Sequence, residues 1–341
     1  MRRLRLEQTR RSEVRRPGRA PAAVAAAVAL ALAASGCVTV HGEREVVPGA
    51  TPDEAAAVLA GFVAAFNRAD KANDPKLDAD RVTGPFGAIN QAGLRAKAVT
   101  RPDGNPDHRP LVLGDARYLL PRKAGWPRWF VADTDAGRDD GTARAGDRWL
   151  VVFVRNGPDA SWKAAHLAIV GKDALPALAE EGGDPVAVPA DTTGLAVAPG
   201  KLSAAYAAYL KDGGAGPFAA GAHTDQWRAK RARTAQRPGL ATQFIDQAAV
   251  DGDFAPLALA TKDGGALVFF ASRHFERQTA AAGYRPKVGA DLKALMKGEV
   301  KNTVTKEWVS SQAVLVKPAG TDRDAVAFAG RLQGVVGVRG S

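Results

Sequence analysis

Residues 20–34 read APAAVAAAVALALAA, an uncharged apolar run that ends at Ser35-Gly36-Cys37. Cys37 is the single cysteine of the 341-residue chain. The run falls short of the roughly 20 residues that a spanning helix needs and matches the h-region of an export signal. Ahead of it, residues 1–19 hold eight arginines against Glu7 and Glu13, a local charge of +6. One cysteine excludes an internal disulfide and a thiolate metal cluster.

A basic n-region, a short apolar h-region and small residues before a cysteine resemble a bacterial lipoprotein signal. The resemblance implies that the Cys37 thiol is acylated and that the chain is cut just before it. Ser35 and Gly36 are small enough for a protease cleft. Ala34 stands where that family usually has Leu, with Leu32 two residues earlier. Arg10-Arg11 and Arg15-Arg16 lack the continuation of a twin-arginine signal, so general secretion is expected. Two acyl chains anchor stably, since each buried methylene contributes about 0.8 kcal/mol. The expected location is the cell membrane, lipid-anchored on its extracytoplasmic face.

The whole chain carries 47 Lys+Arg against 36 Asp+Glu, a formal +11. Without residues 1–36 the excess falls to +5. Most of the basic balance therefore belongs to the address, and nucleic acid is not an expected partner. With 46% hydrophobic residues, the remainder has enough apolar material for a core. No later segment approaches 18 uninterrupted apolar residues, so the expected contact with membrane is through the lipid alone.

The expected organisation is a signal peptide over 1–36, a tether over 37–50, a first unit over 51–180, a linker over 181–198 and a second unit over 199–341. Thr51-Pro52-Asp53-Glu54 is a helix start: an N-cap, Pro at the first helical position, and Glu three residues after the cap. Val58, Leu59, Phe62, Val63 and Phe66 then share one face. Leu202, Ala205, Tyr206, Tyr209 and Leu210 repeat this stripe in the second half. Gly84-Pro85-Phe86 recurs as Gly216-Pro217-Phe218, and Leu94-Arg95-Ala96-Lys97 as Trp227-Arg228-Ala229-Lys230. The run from Ala116 to an Asp135-Ala136-Gly137 turn matches that from Ala241 to Asp263-Gly264-Gly265. The order is kept throughout, which points to an internal duplication.

Strands follow the helices in each half. Tyr118–Leu120, Trp129–Val131, Trp149–Val154 and Trp162–Val170 are rich in Val and aromatics. Leu257–Thr261 and Ala266–Phe270 flank Asp263-Gly264, a hairpin signal. Trp308–Val316 and Ala325–Leu332 form an expected closing pair, and Gly289–Glu299 an inserted helix. The fold class is α+β: two related units, each helices followed by a curved antiparallel sheet. Each half is similar to the nuclear-transport-factor-2-like (cone-shaped α+β) superfamily. The whole chain resembles an actinobacterial lipoprotein family of unknown function. Neither resemblance brings a catalytic motif.

The sequence carries few signatures of catalysis. His41, His108, His166, His223 and His274 form no helical zinc pair, and no Ser-x-x-Lys, Gly-x-Ser-x-Gly or phosphate loop occurs. No cofactor and no metal are expected. Asp133-Thr-Asp135-Ala-Gly137-Arg-Asp139-Asp140 starts like a calcium loop, but Arg138 and Arg144 occupy the required Gly and Glu positions. It reads as a solvated hairpin loop. Trp129, Trp149 and His166 are the candidate ligand-pocket residues, since enzymes of the cone-shaped superfamily place a base inside the cone. His274 reads as exposed. Lys230, Arg233 and Arg237 would share a helical face and meet an anionic surface.

These features lead to an expected membrane-anchored extracytoplasmic lipoprotein that binds a ligand or an unknown protein and is not an enzyme. A small cone-fold enzyme using a pocket histidine and a scaffold of an envelope complex are the alternatives.

Overall fold

The computed structural model describes residues 45–138, 147–214 and 216–341. The signal, Cys37, His41 and most of the tether lie outside the described residues, as do Asp139, Asp140 and Arg144 of the acidic segment.

Helix α1 spans Pro52–Ala72. Thr51 caps it as its sequence requires, the Glu54 N–H donating to Thr51 Oγ1 at 3.1 Å. The chain leaves the helix through Asn73 in the left-handed conformation, φ 52°. Helix α2 covers Gly84–Thr100, again with Pro in its first turn. Strands β1 (Leu111–Leu119), β2 (Arg128–Arg138), β3 (Asp147–Arg155) and β4 (Lys163–Gly171) then build an antiparallel meander in sequence order. Asn67 ties the helix to the sheet, since its amide both donates to Leu111 O and accepts from Leu111 N.

The second half also places helices ahead of strands. Helices α3 (Pro199–Asp212) and α4 (Asp225–Ala235) precede β5 (Leu240–Ala249), β6 (Leu257–Ala260) and β7 (Ala266–Ala280). After the short helix α5 (Ala290–Ala294) come β8 (Thr303–Val316) and β9 (Val326–Gly340). In this sheet β9 pairs β8, β8 pairs β7, and β7 pairs both β5 and β6. Strands β5 and β6 lie end to end on one side of β7: β6 opposes Ala266–Phe269 and β5 opposes Ala271–Ala280.

The two halves share a further detail. Val82, just before α2, forms a parallel bridge with Ala164 near the start of β4. Phe218, ahead of α4, forms the same bridge with Val326 at the start of β9. The hydrogen bonds match: Thr83 N to Ala164 O and Ala164 N to Arg81 O, against Ala219 N to Val326 O and Val326 N to Pro217 O. The bridge thus pairs Val82 with Phe218. The Gly-Pro-Phe match of the sequence is offset by four residues from this alignment.

Glu45–Ser341 form one compact unit with three apolar clusters. Phe62, Phe86, Phe130, Phe153 and Trp162 fill the space between α1, α2 and the first sheet. Leu202, Tyr206, Phe218, Phe270 and Val314 do so between α3 and the second sheet. Between the two sheets lie Trp129, Val131, Leu150, Val152, Leu267, Phe269 and Ala313. The sheets therefore pack face to face, with helices on their outer sides. Helix α2 also packs against β8 and β9, joining the halves. Asp253 pins this junction, accepting hydrogen bonds from Thr83 and from Asn156.

Several expectations are corrected. Asp135–Gly137 are not a turn: they lie within β2, and Asp133 in the same strand is buried. Its carboxylate pairs with Arg148, which also meets Asp115 at 3.0 Å and Asp135 at 2.9 Å. The described part of the acidic segment is thus strand with its carboxylates gathered on Arg148, not a solvated loop. The segment expected as a linker, 181–198, does not run clear of the sheet. Ala187 bridges to Leu259 and Leu195 to Pro318, so this segment is paired along the second sheet. The helix expected over 289–299 closes after Ala294, and Met296–Lys297 pair parallel with β9.

Candidate functional site

The helix-facing side of the second sheet changes character halfway along its strands. Alternation on β7 brings Ala266, Val268, Phe270, Ser272 and His274 to one face. On β8 the same face carries Val316, Val314, Gln312, Ser310 and Trp308. On β9 it carries Val326 and Phe328, then, beyond an irregularity between Ala313 and Val314, Arg331 and Gln333. The apolar half lies under α3. The polar half, His274, Ser310, Arg331 and Gln333, lies towards α4, whose Trp227 contacts both Arg331 and His274.

Helix α4 is polar almost throughout, and its buried residue is Arg231. That guanidinium reaches across to Asp246 on β5 with a bidentate ion pair, 2.7 Å at the shortest. It also stacks over Phe244 at 4.7 Å and Trp227 at 5.1 Å. Asp246 is thereby committed to Arg231.

Arg331 has no such partner. It donates to Gln333 Oε1 at 2.7 Å, Ser310 Oγ at 3.2 Å and Tyr206 OH at 3.4 Å, all uncharged acceptors. Its guanidinium lies 5.0 Å from the Trp227 ring. Burial pulls its pKa down and Arg231 adds to the effect, against opposing contributions from Tyr206 and Asp246. His274 stacks flat on Trp308, with ring centroids 5.6 Å apart and 6° between planes. Burial, then the charges of Arg231 and Arg331, hold its pKa at about 3, so it is neutral at physiological pH. Among the described residues, the buried donors Trp227 Nε1, Trp308 Nε1, Arg231 Nε and Arg331 Nε have no acceptor. Each such donor costs roughly 1–3 kcal/mol unless something accepts from it.

A cleft of about 350 Å³ opens here, lined by His223, Trp227, Lys230, Arg233, Arg331 and Gln333 among others. None of its lining residues is acidic. Burial and the neighbouring Arg331 charge lower the His223 pKa.

The structure divides the residues expected at a site. Lys230 and Arg233 both line this cleft. Arg237 does not join them: α4 closes at Ala235, and Arg237 sits in a two-residue strand paired with Leu240. Trp129 and His166 lie between the two sheets, whereas Trp149 packs on the opposite face with the first helix-side cluster. Among the described residues, the three do not face a common space. His166 is fully buried, 3.4 Å from Ser311 Oγ and beside the Phe269 ring. Burial pushes its pKa down to about 4. His274, expected to be exposed, is 3% exposed.

Arg331, Asp246, His274 and Trp308 were not identified as site residues from sequence. One signal was present: His274 and Ser272 continue the register of Val268 and Phe270, placing polar residues on a core-facing side. Among the described residues, no group of three or more His, Cys, Asp or Glu converges as a metal site. Among the same residues, no helix is long and apolar enough to cross a membrane.

The chain matches the family model described as Domain of unknown function (DUF8094) over residues 46–340. An uncharacterized lipoprotein of Streptomyces coelicolor is 51% identical over 313 residues, 91% of this chain and 92% of its own. An uncharacterized lipoprotein of Streptomyces avermitilis is 47% identical over 329 residues, 96% of this chain and 97% of its own. No solved structure matches. Both sheets and the cationic cleft fall inside the matched span, and the chain belongs to the DUF8094 family.

Proposed function

We propose that this protein is a lipoprotein, anchored through acylated Cys37 on the extracytoplasmic face of the cell membrane, that binds a small ligand without transforming it. The relatives' lipoprotein names and the basic, apolar and cysteine segments at the amino terminus support the anchor. Repeated helix-helix-strand order and the matching bridges at Val82 and Phe218 support descent of the two halves from one duplicated cone-shaped unit.

The contrast between the halves carries the binding reading. In the first, aromatic rings close the space under the helices: Phe130 stacks on Phe153 at 5.0 Å and meets Trp162 edge-on at 5.0 Å. In the second, the equivalent face keeps an open cleft with donors lacking acceptors. A non-catalytic role is favoured because this cleft presents no carboxylate, serine or cysteine as nucleophile, and its lining gives His223 no acidic partner.

Native mass spectrometry of protein gently extracted from its own membranes tests the reading. The expected species begins at Cys37, carries acyl mass, and retains a discrete small-molecule adduct that Trp227→Ala loses. An unacylated chain counts against the anchor. An adduct-free wild type, or an adduct kept by Trp227→Ala, counts against the cleft.

A further inference from the structure

The geometry points to a phosphate-bearing ligand in the cleft between α4 and β9, with Arg331, Lys230 and Arg233 supplying its counter-charge. This inference rests on the binding reading above and names the ligand class.

Three cationic groups crowd one indole. Around Trp227 lie Arg331 at 5.0 Å, Arg231 at 5.1 Å and Lys230 at 5.6 Å. The carboxylate in ion-pair contact with this group is Asp246, and Arg231 takes both of its oxygens. Among the described residues, no carboxylate lies within ion-pair distance of Lys230, Arg233 or Arg331. The cleft they line therefore presents three positive charges and no negative one.

A cation held beside other cations is unfavourable by itself, and an anion in the cleft reverses the sign of that interaction. Elsewhere in this protein buried arginines are neutralised: Arg148 by Asp133, Asp115 and Asp135, and Arg231 by Asp246. Arg331 departs from that pattern at the place where the sheet opens to solvent.

A carboxylate would answer one of the three charges. A phosphate group carries up to two negative charges and has oxygens enough for a guanidinium and an ammonium together. Trp227 and Gln333 add an aromatic wall and an amide for the remainder of the ligand. An anionic phospholipid headgroup and a free phosphorylated metabolite share this chemistry. On a lipid-tethered protein both are within reach.

Isothermal titration calorimetry on the chain from residue 37, with Cys37→Ser to leave it unacylated, provides the test. The probes are sn-glycerol 3-phosphate, inorganic phosphate, acetate and a neutral aromatic glucoside. Saturable binding of glycerol phosphate is expected, at least tenfold tighter than acetate. Arg331→Gln should weaken it tenfold or more. So should Lys230→Gln with Arg233→Gln, a double variant of exposed residues that leaves the core intact.

Binding of the glucoside but of neither phosphate, acetate binding as tightly as phosphate, or indifference to both variants would overturn the phosphate assignment and leave the cleft reading standing. Failure of every probe would overturn both. Co-sedimentation with phosphatidylglycerol vesicles but not phosphatidylcholine vesicles, lost in Arg331→Gln, identifies the headgroup as source. Glycerol phosphate binding without co-sedimentation identifies a free metabolite. Either result upholds the phosphate chemistry.

Discussion

Removing the Asp246 carboxylate strands Arg231 between Trp227 and Phe244, where no other acid among the described residues pairs with it. Breaking one partner of a buried pair costs about 3–5 kcal/mol, because the remaining charge stays desolvated. Asp246→Ala is therefore expected to lower the unfolding free energy by that amount in urea denaturation. Adding Arg231→Met should recover most of the loss, and a double variant as unstable as the single would contradict this account. The buried histidines set a second expectation. His166 and His274 have native pKa values of about 4 and about 3, both depressed by burial, so their contribution is present above the unfolded value near 6.5 and is lost as pH falls. Asp78 acts in the opposite direction. Burial lifts it to about 6, despite hydrogen bonds from Asn90 and Gln91, so its contribution is gained as pH falls from 6 towards 3.8. At pH 5 the unfolded chain binds two extra protons on the histidines and one fewer on Asp78. These three groups together give a net loss of about 1.4 kcal/mol per pH unit between roughly 6 and 4. Denaturation midpoints across that range check it, and His274→Phe should lessen the slope by about 1.4 kcal/mol per pH unit.

The elements easiest to read were those whose signal is local. The Thr51 cap, the apolar stripe of α1 and the Asp263-Gly264 hairpin were all visible, because capping chemistry and φ > 0 requirements act within a few residues. Gly264 has φ 83°. What escaped depends on contacts distant in sequence. Helix α4 offers no apolar stripe, so nothing local distinguishes buried Arg231 from exposed Lys230. Their difference is set by Asp246 on β5. Likewise Trp129 and Trp149, both aromatic and in adjacent strands, face opposite sides of one sheet because register decides it. The junction of the sheets makes its own prediction. A Cβ at Gly330 of β9 would lie 2.4 Å from Ile169 O and 3.1 Å from a Val170 methyl carbon on β4. The backbone oxygen cannot rotate away, so Gly330→Val must part the sheets. A loss of at least 1–3 kcal/mol in thermal or chemical denaturation is expected. Unchanged stability would mean that β4 and β9 do not touch in solution.

At the scale of the whole molecule, two halves, each with helices ahead of strands, bury the inner faces of their sheets against each other, leaving the outer side of each for its own helices. The first half spends that side on an aromatic core, and the second leaves part of it polar and open. Sequence placed helices ahead of strands in each half, but it marked neither α2 nor β5 and set a turn inside β2. It did not distinguish their roles, since that depends on which side chains meet across the second sheet. Anchoring belongs to this scale as well. Cys37→Ala is expected to move the protein from the membrane fraction to the soluble extracytoplasmic fraction, or to arrest it as an unprocessed precursor. Unchanged membrane retention with unchanged mass would contradict lipidation.

The most direct test of the binding site uses the indole N–H resonances of the six tryptophans, all of which lie between residues 126 and 308. Trp227 and Trp308 belong to the cleft region of the second half, and Trp126, Trp129, Trp149 and Trp162 to the first. Assigned by single substitutions and followed during titration with material extracted from the protein's own membranes, the Trp227 and Trp308 signals should move saturably while the other four stay in place. Saturable movement confined to Trp129 or Trp149, with Trp227 unmoved, would contradict the assignment of the site to the second half.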